Sequence, residues 1–346
     1  MTSENAGRVV FRASASGAIG GGHVIRCLAL ADALKAEGWM CTFASAPEST
    51  LTAPTLGDYP IIEIDETLSE AAQSAIIGAA VEGADICIVD HYGLGADFET
   101  AARAWAAKIV VFEDVPARRH DADLLLDASG GRRAEAYTDQ KLLPDTCMVL
   151  AGPRYALLRD AFALDAAPRA SGPGLWRIFV SMGATDPDNL TGEALTVLAA
   201  TLPDVEIDVM LSAAAPHLAA LRATEMAGVT VHAGVSDVAR LMAGADLAIG
   251  TAGINLWERC ALGVPSLLVI GAENQRDNAH FAEAAGAAMI VGEEGVLSGE
   301  ALEHALKDLA RAPERLDAMR LAALDVCDGM GAKRVADAIA ALMRIG

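Results

Sequence analysis

Short runs of β-branched and aliphatic residues alternate with helical patterns along almost the whole chain, and nothing else in the sequence limits the fold as tightly. Val9–Ala13 reads as a first strand. A glycine loop follows it, then a helix from about His23 to Glu37 with Ile25, Leu28 and Leu34 on its inner side. Further strands are expected at Cys41–Ala44, Ile61–Ile64, Ile86–Val89, Ile109–Phe112 and Leu124–Leu126, with helices at Glu70–Val81 and Phe98–Ala106. Over Ala163–Gly174 the run ALDAAPRASGPG loses all period and reads as an interdomain linker. A second series starts at Arg177–Val180. Its strands are expected near Ile207–Met210, Val229–Val231, Leu247–Ile249, Leu267–Ile270 and Met289–Val291. Amphipathic helices over Glu300–Ala310 and Ala332–Met343 close the pattern. The expectation is an α/β chain of two doubly wound, Rossmann-like domains with a cleft between them. They cover 1–165 and 174–330, and 331–346 forms a helix packing near the linker. Ligands of such sheets bind beyond the carboxyl ends of the strands, where strand order reverses, so the cleft is the expected place for chemistry.

Length supports two domains, since 346 residues exceed the usual single core. Aromatics are only 4% of the chain, so the cores must be built from aliphatic side chains. A formal net charge of −21 repels nucleic acid and anionic lipid, so neither is an expected partner. A phosphate must then be held by local devices such as backbone amides and helix N-termini. The six cysteines form no CxxC pair and are expected to be buried free thiols, which fits a reducing cytoplasm. The N-terminal residues lack the pattern of a secretory signal. The longest apolar stretch, Cys260–Ala272, is broken by Gly263, Pro265 and Ser266, so no membrane insertion is expected.

Five segments carry polar groups suited to chemistry. The first runs from Gly17 to His23, where Gly20, Gly21 and Gly22 let the backbone approach a ligand. His23 then stands at a helix N-terminus, whose dipole disfavours a positive charge, so its imidazole can take a proton from water or a hydroxyl. An ordinary glycine-rich turn with a capping histidine reads equally well. In the second, Val89-Asp90-His91-Tyr92, Tyr92 can hydrogen-bond a sugar or merely pack at the surface. Asp90 and Asp114 can cap loops or helices. The third, Ser181–Asn189, offers the amides and hydroxyls of Gly183 and Thr185 to a phosphate; the plain alternative makes Asp188 or Asn189 an N-cap. In the fourth, strand Leu247–Ile249 runs through Gly250, Thr251, Ala252 and Gly253 into a helix beginning near Ile254, which presents free N–H groups to an anion. Glu258, one turn into that helix, can chelate ribose hydroxyls or serve the helix dipole. The fifth is Asn274-Gln275, whose amides suit sugar hydroxyls and acetamides or form a surface turn.

In order, GGGHVIRCLALADAL, VDHYGL, GPRYALLR, SMGATDPDNLT, GTAGINLWERCALGVPSLLV and ENQ resemble the nucleotide-sugar hydrolases of pseudaminic acid biosynthesis, the PseG family. The resemblance covers nearly the whole chain. It implies the GT-B fold, kinship with MurG-type glycosyltransferases, and transfer of the sugar to water without metal or other cofactor. By motif, it implies that His23 is the base for the attacking water and that Tyr92 lies near the sugar. Gly250 to Gly253 match the diphosphate loop, Glu258 the ribose ligand, and Asn274 and Gln275 the sugar contacts. The chain departs from the pattern at Ile254-Asn255-Leu256, at Ala184 in place of a glycine, and at Glu113-Asp114 in place of an Asp-Asp pair.

The expected activity is inverting hydrolysis of a UDP-linked diacetamido-trideoxyhexose to free sugar and UDP, on the route to a bacterial surface glycan such as glycosylated flagellin. Two other readings stand beside it: a GT-B glycosyltransferase with a separate acceptor, and a nucleotide-sugar-binding protein without catalysis.

Overall fold

Parallel strands covered by helices on both faces must be apolar on both sides, and the runs IVVF, LLL, IFV and SLLV meet that demand. The computed structural model describes residues 7–15, 21–163, 177–224, 226–235 and 237–344. Gly20 and all but the first residue of the expected linker lie outside the described residues. By contact the chain divides into two units, Met1–Arg159 with Met330–Gly346, and Asp160–Gly329.

The first unit carries β1 (Gly7–Ala13), β2 (Trp39–Ser45), β3 (Ile61–Glu63), β4 (Ala84–Asp90), β5 (Ala106–Phe112), β6 (Leu124–Asp127) and β7 (Met148–Ala151). They form one sheet in the order β3-β2-β1-β4-β5-β6-β7, with parallel pairings throughout. Order reverses between β1 and β4, where Ala13 lies opposite Asp90 at the strands' carboxyl ends. The helix Gly22–Ala36 is buried over most of its circumference. Val24, Leu30 and Leu34 pack with Phe11 and Phe43 of the sheet and with Val335 and Ile339 of the helix Gly331–Leu342.

The second unit repeats the plan. Its strands are β8 (Arg177–Ser181), β9 (Glu206–Leu211), β10 (Val229–Ala233), β11 (Leu247–Thr251), β12 (Ser266–Val269), β13 (Ala288–Glu293) and β14 (Val296–Leu297). Their order is β10-β9-β8-β11-β12-β13-β14, and only the pair β13–β14 is antiparallel. The reversal here falls between β8 and β11, with Gly250 opposite Ser181. Among the described residues no helix is long and apolar enough to cross a membrane.

Two local expectations are corrected, and one helix is new. The helix expected to reach Ala106 covers Ala96–Ala102, and Ala106 opens β5 instead, because pairing with Ala84 of β4 overrides an alanine-rich stretch that favours helix. Ile25 is 39% exposed rather than inward, while Leu28 and Leu34 are buried. The helix Pro313–Val326, begun by a proline at its first position, was not expected from the periodicity.

Candidate functional site

In the first unit, Gly21 sits at the N-cap of the helix Gly22–Ala36, Gly22 is its first residue and His23 its second. Among the described residues, a Cβ added to Gly22 would meet nothing within 4 Å. Asp90 ends β4 directly beside the helix start, a consequence of β4 being the neighbour of β1. Its Oδ1 lies 2.5 Å from His23 Nδ1. Arg26, one turn after His23 on the same helix face, donates from Nε and Nη2 to the two oxygens of Asp90, each at 2.6 Å. Its Nη1 donates to Asp114 Oδ1 at 2.7 Å, and the hydroxyl of Tyr92 donates to Asp114 Oδ2 at 2.9 Å. The Tyr92 ring stands edge-on to the His23 imidazole with centroids 4.6 Å apart.

The electrostatics decide the tautomer. Burial would push the Asp90 carboxyl up, but the charges of Arg26 and then His23, with their hydrogen bonds, hold it well below the ordinary carboxylate range. An ionised Asp90 can only accept, so Nδ1 of His23 must carry the proton and donate. In the neutral ring Nε2 is then the lone-pair nitrogen. A carboxylate placed in this way can fix an imidazole and stabilise it once protonated.

A buried network supports the loops around this centre. His120 Nδ1 lies 2.7 Å from Glu99 Oε1, and its Nε2 lies 3.2 Å from Glu113 Oε2. Burial would lower the His120 pKa, yet hydrogen bonds to Glu113 and Glu99 push it up to about 9. Glu113 is held down to about 2, because the bonds from His120 and Arg118 outweigh its burial. Arg118 also donates to the carbonyls of Tyr92 and Leu94, so the segment carrying Tyr92 is tied to this network. His91, next to Asp90, turns elsewhere: Nδ1 accepts from Gly93 N at 3.0 Å and Nε2 faces Glu66 at 3.1 Å.

In the second unit the loops after β8 and β11 leave from adjacent strand ends. After β8, Gly183 adopts φ +104°, and Thr185 is exposed on the same loop. The N-cap expected from Asp188 or Asn189 is supplied by Asp186, whose two oxygens each accept an amide at 2.9 Å, from Leu190 and Thr191. Asn189 occupies the cap position but in a left-handed backbone, which turns its side chain away from the free amides, and it makes no side-chain cap bond.

After β11, Thr251 closes the strand, Ala252 is fully buried, and Gly253 is the N-cap of the helix Ile254–Ala261. Gly250 permits a close approach that no other residue allows, since a Cβ there would overlap Arg259 and the Ser181 carbonyl. Glu258 lies one turn into the helix and is 8% exposed. Gln275 reaches back to the loop: its Oε1 accepts from Gly271 N at 3.2 Å, and its Nε2 lies 3.8 Å from the Cβ position of Gly253. Asn274 is exposed on the short turn Glu273–Gln275. Thr251, Gly253 and Gln275 are thus neighbours, whereas Asn274 faces solvent beside them.

Arg26 and the pairing roles of Asp90 and Asp114 were not legible beforehand. The available signal was the spacing of His23 and Arg26, three residues apart on one helix face, which makes them neighbours. Asn278 and Arg259 were missed as well. Asn278 Nδ2 donates to Ala252 O at 3.1 Å and Arg259 Nη2 to Thr251 O at 2.6 Å.

Residues 224–340 match the Glycosyltransferase family 28 C-terminal domain. The UDP-2,4-diacetamido-2,4,6-trideoxy-beta-L-altropyranose hydrolase of Campylobacter jejuni is 30% identical over 217 residues, covering 62% of this chain and 73% of that one. The spore coat polysaccharide biosynthesis protein SpsG of Bacillus subtilis is 25% identical over 335 residues, 91% of this chain and 93% of its own. Among solved structures, MurG of Acinetobacter baumannii superposes with a TM-score of 0.67 at 18% identity, over 96% of this chain and 99% of that one. The two doubly wound sheets are those of the GT-B fold. Sequence similarity over both units and the shared architecture agree: the chain belongs to the UDP-2,4-diacetamido-2,4,6-trideoxy-β-L-altropyranose hydrolase family.

Proposed function

We propose that this protein is an enzyme acting on UDP-sugars, and that it hydrolyses a UDP-linked diacetamido-trideoxyhexose to free sugar and UDP in nonulosonic (pseudaminic) acid biosynthesis. The observation that carries this reading is the Asp90–His23 pair, 2.5 Å apart at the switch point of the first sheet. It supplies a base whose accepting nitrogen is fixed, as activation of a water requires.

In this reading His23 Nε2 takes a proton from a water whose oxygen attacks the anomeric carbon. The bond from that carbon to the phosphate oxygen breaks, and its electron pair leaves with UDP. Attack opposite the leaving group inverts the anomeric centre. Asp90 stabilises the imidazolium as it forms, with no proton transferred to the carboxylate. Gly21 and Gly22 allow the sugar to come close to the backbone, and Tyr92 lies beside it. In the second unit the amides of Thr251–Gly253, with Gly183 and Thr185, receive the diphosphate on which charge develops. Glu258 takes the ribose, and Asn274 and Gln275 take acetamido or hydroxyl groups.

The test is incubation of purified protein with the UDP-sugar and no acceptor, in heavy-oxygen water, with mass spectrometry of the products. Release of UDP together with sugar labelled at the anomeric oxygen is expected, and His23→Asn should abolish it while still binding UDP. Wild-type turnover in that variant sinks the proposal.

The match of residues 224–340 to a glycosyltransferase domain favours a second reading, transfer to a sugar or lipid acceptor. A transferase would release UDP only when an acceptor is added.

A further inference from the structure

Arg259 is 0% exposed, in the interior of the helix Ile254–Ala261. Its Nη2 donates to Thr251 O at 2.6 Å, and Nη1 lies against Gly250. Among the described residues, Nη1 and Nε have no hydrogen-bond partner. Burial lowers its pKa to about 10, which still leaves it charged at neutral pH. Glu258, the residue before it, attracts it electrostatically. A buried guanidinium with two unsatisfied nitrogens is costly, and cores normally avoid it. It persists where its charge has a use.

That use is legible in the loop above it. Arg259 holds the carbonyl of Thr251 inward, and buried Asn278 does the same to the carbonyl of Ala252 at 3.1 Å. With both oxygens drawn into the unit, neither competes with an incoming anion. The first amides of the following helix, at Ile254 and Asn255, have no carbonyl of their own helix to bond. The loop therefore offers N–H groups backed by a cation in a low-dielectric interior, where charge acts strongly.

We infer that Arg259 is a positioning residue for a diphosphate at the Thr251–Asn255 loop, turning the loop's carbonyls away and supplying from beneath the positive charge that the bound anion neutralises. The inference rests on the second unit being the one that binds UDP. Arg259 touches no ligand itself. It acts through Thr251 and through its charge, which is how a protein of net charge −21 can receive a dianion without a basic surface.

The experiment measures uridine, UMP, UDP and inorganic pyrophosphate by calorimetry on the full chain and on Arg259→Met, Arg259→Gln and Arg259→Lys. In the wild type, affinity should rise from uridine to UMP to UDP. Arg259→Met should bind uridine unchanged and lose roughly 10–100-fold of the gain from the phosphates, the worth of a charge-assisted contact. Arg259→Lys, which keeps a charge, should retain more UDP affinity than Arg259→Gln, and this comparison stands even if the methionine variant does not fold. The inference is overturned if Arg259→Met keeps the full phosphate gain, if it loses uridine and UDP in equal proportion as a structural defect would, or if Lys and Gln variants bind UDP alike. A wild type that gains nothing from phosphates overturns the UDP-binding reading itself. Hydrolysis need not occur for any of these results.

Discussion

Asp90 Oδ1 stands 2.5 Å from His23 Nδ1 while both oxygens of the same carboxylate are held by Arg26. Replacing Asp90 by Asn keeps the shape but removes the fixed acceptor, so the imidazole can adopt the tautomer with the wrong nitrogen protonated. The expected result for Asp90→Asn is a fall in kcat of roughly 10²–10⁴-fold with UDP affinity unchanged. Arg26 keeps Asp114, yet the loss of one buried charge partner should also cost about 3 kcal/mol of stability. Steady-state kinetics and calorimetry on the folded variant check both, and an unaltered kcat refutes the role of Asp90.

Tyr92 is 45% exposed and gives its hydroxyl to Asp114 at 2.9 Å. Tyr92→Phe loses that bond and keeps the edge contact with His23. Its stability should change by less than about 1 kcal/mol and its kcat/KM by less than about tenfold. Tyr92→Ala also removes the ring that limits the imidazole's motion, so its kcat/KM should fall further. Equal activity of the two variants would show that the ring has no part in holding His23.

His120 should make stability depend on pH on the alkaline side. Its pKa is raised from 6.5 to about 9 in the folded chain, so folding favours the proton. The contribution is complete below about pH 6.5 and is lost as pH rises through about 9. Denaturant unfolding at pH 6 and pH 9.5 should differ by about 3 kcal/mol more in the wild type than in His120→Gln. Parallel pH dependence of the two proteins counts against a protonated His120 between Glu99 and Glu113.

At Gly250 a methyl group would overlap both Arg259 and the Ser181 carbonyl on the neighbouring strand. Backbone cannot yield as a flexible side chain can. Gly250→Ala should therefore cost about 1–3 kcal/mol and weaken UDP binding, because the strand end that launches the loop must shift. Thermal unfolding and UDP titration check this, and a neutral substitution would mean that β8 and β11 are less tightly joined than described.

Periodicity revealed the elements whose apolar runs were long enough to repeat. The helices Glu70–Val81 and Ile254–Ala261 start where Ser69 caps or where Gly253 takes the cap position, and such local chemistry is visible in sequence. The two-residue β14 escaped, since so short a run shows no period, and β7 at Met148–Ala151 escaped as well. Glycine-rich turns after β1 and β11 marked both candidate loops, and His23, Thr251, Gly253 and Glu258 could be named from them.

What the chain's order of residues determined alone was the alternating plan, the position of its loops at strand ends, and the histidine at a helix start. Which side chains meet at those ends was decided only by tertiary structure. Arg26 reaches Asp90 across 64 positions and Asp114 across 88, and both meetings depend on β4 lying beside β1 and β5 beside β4. Strand order is set by how whole helices cover a sheet, a sum over distant apolar contacts that leaves no mark in the local spacing of residues.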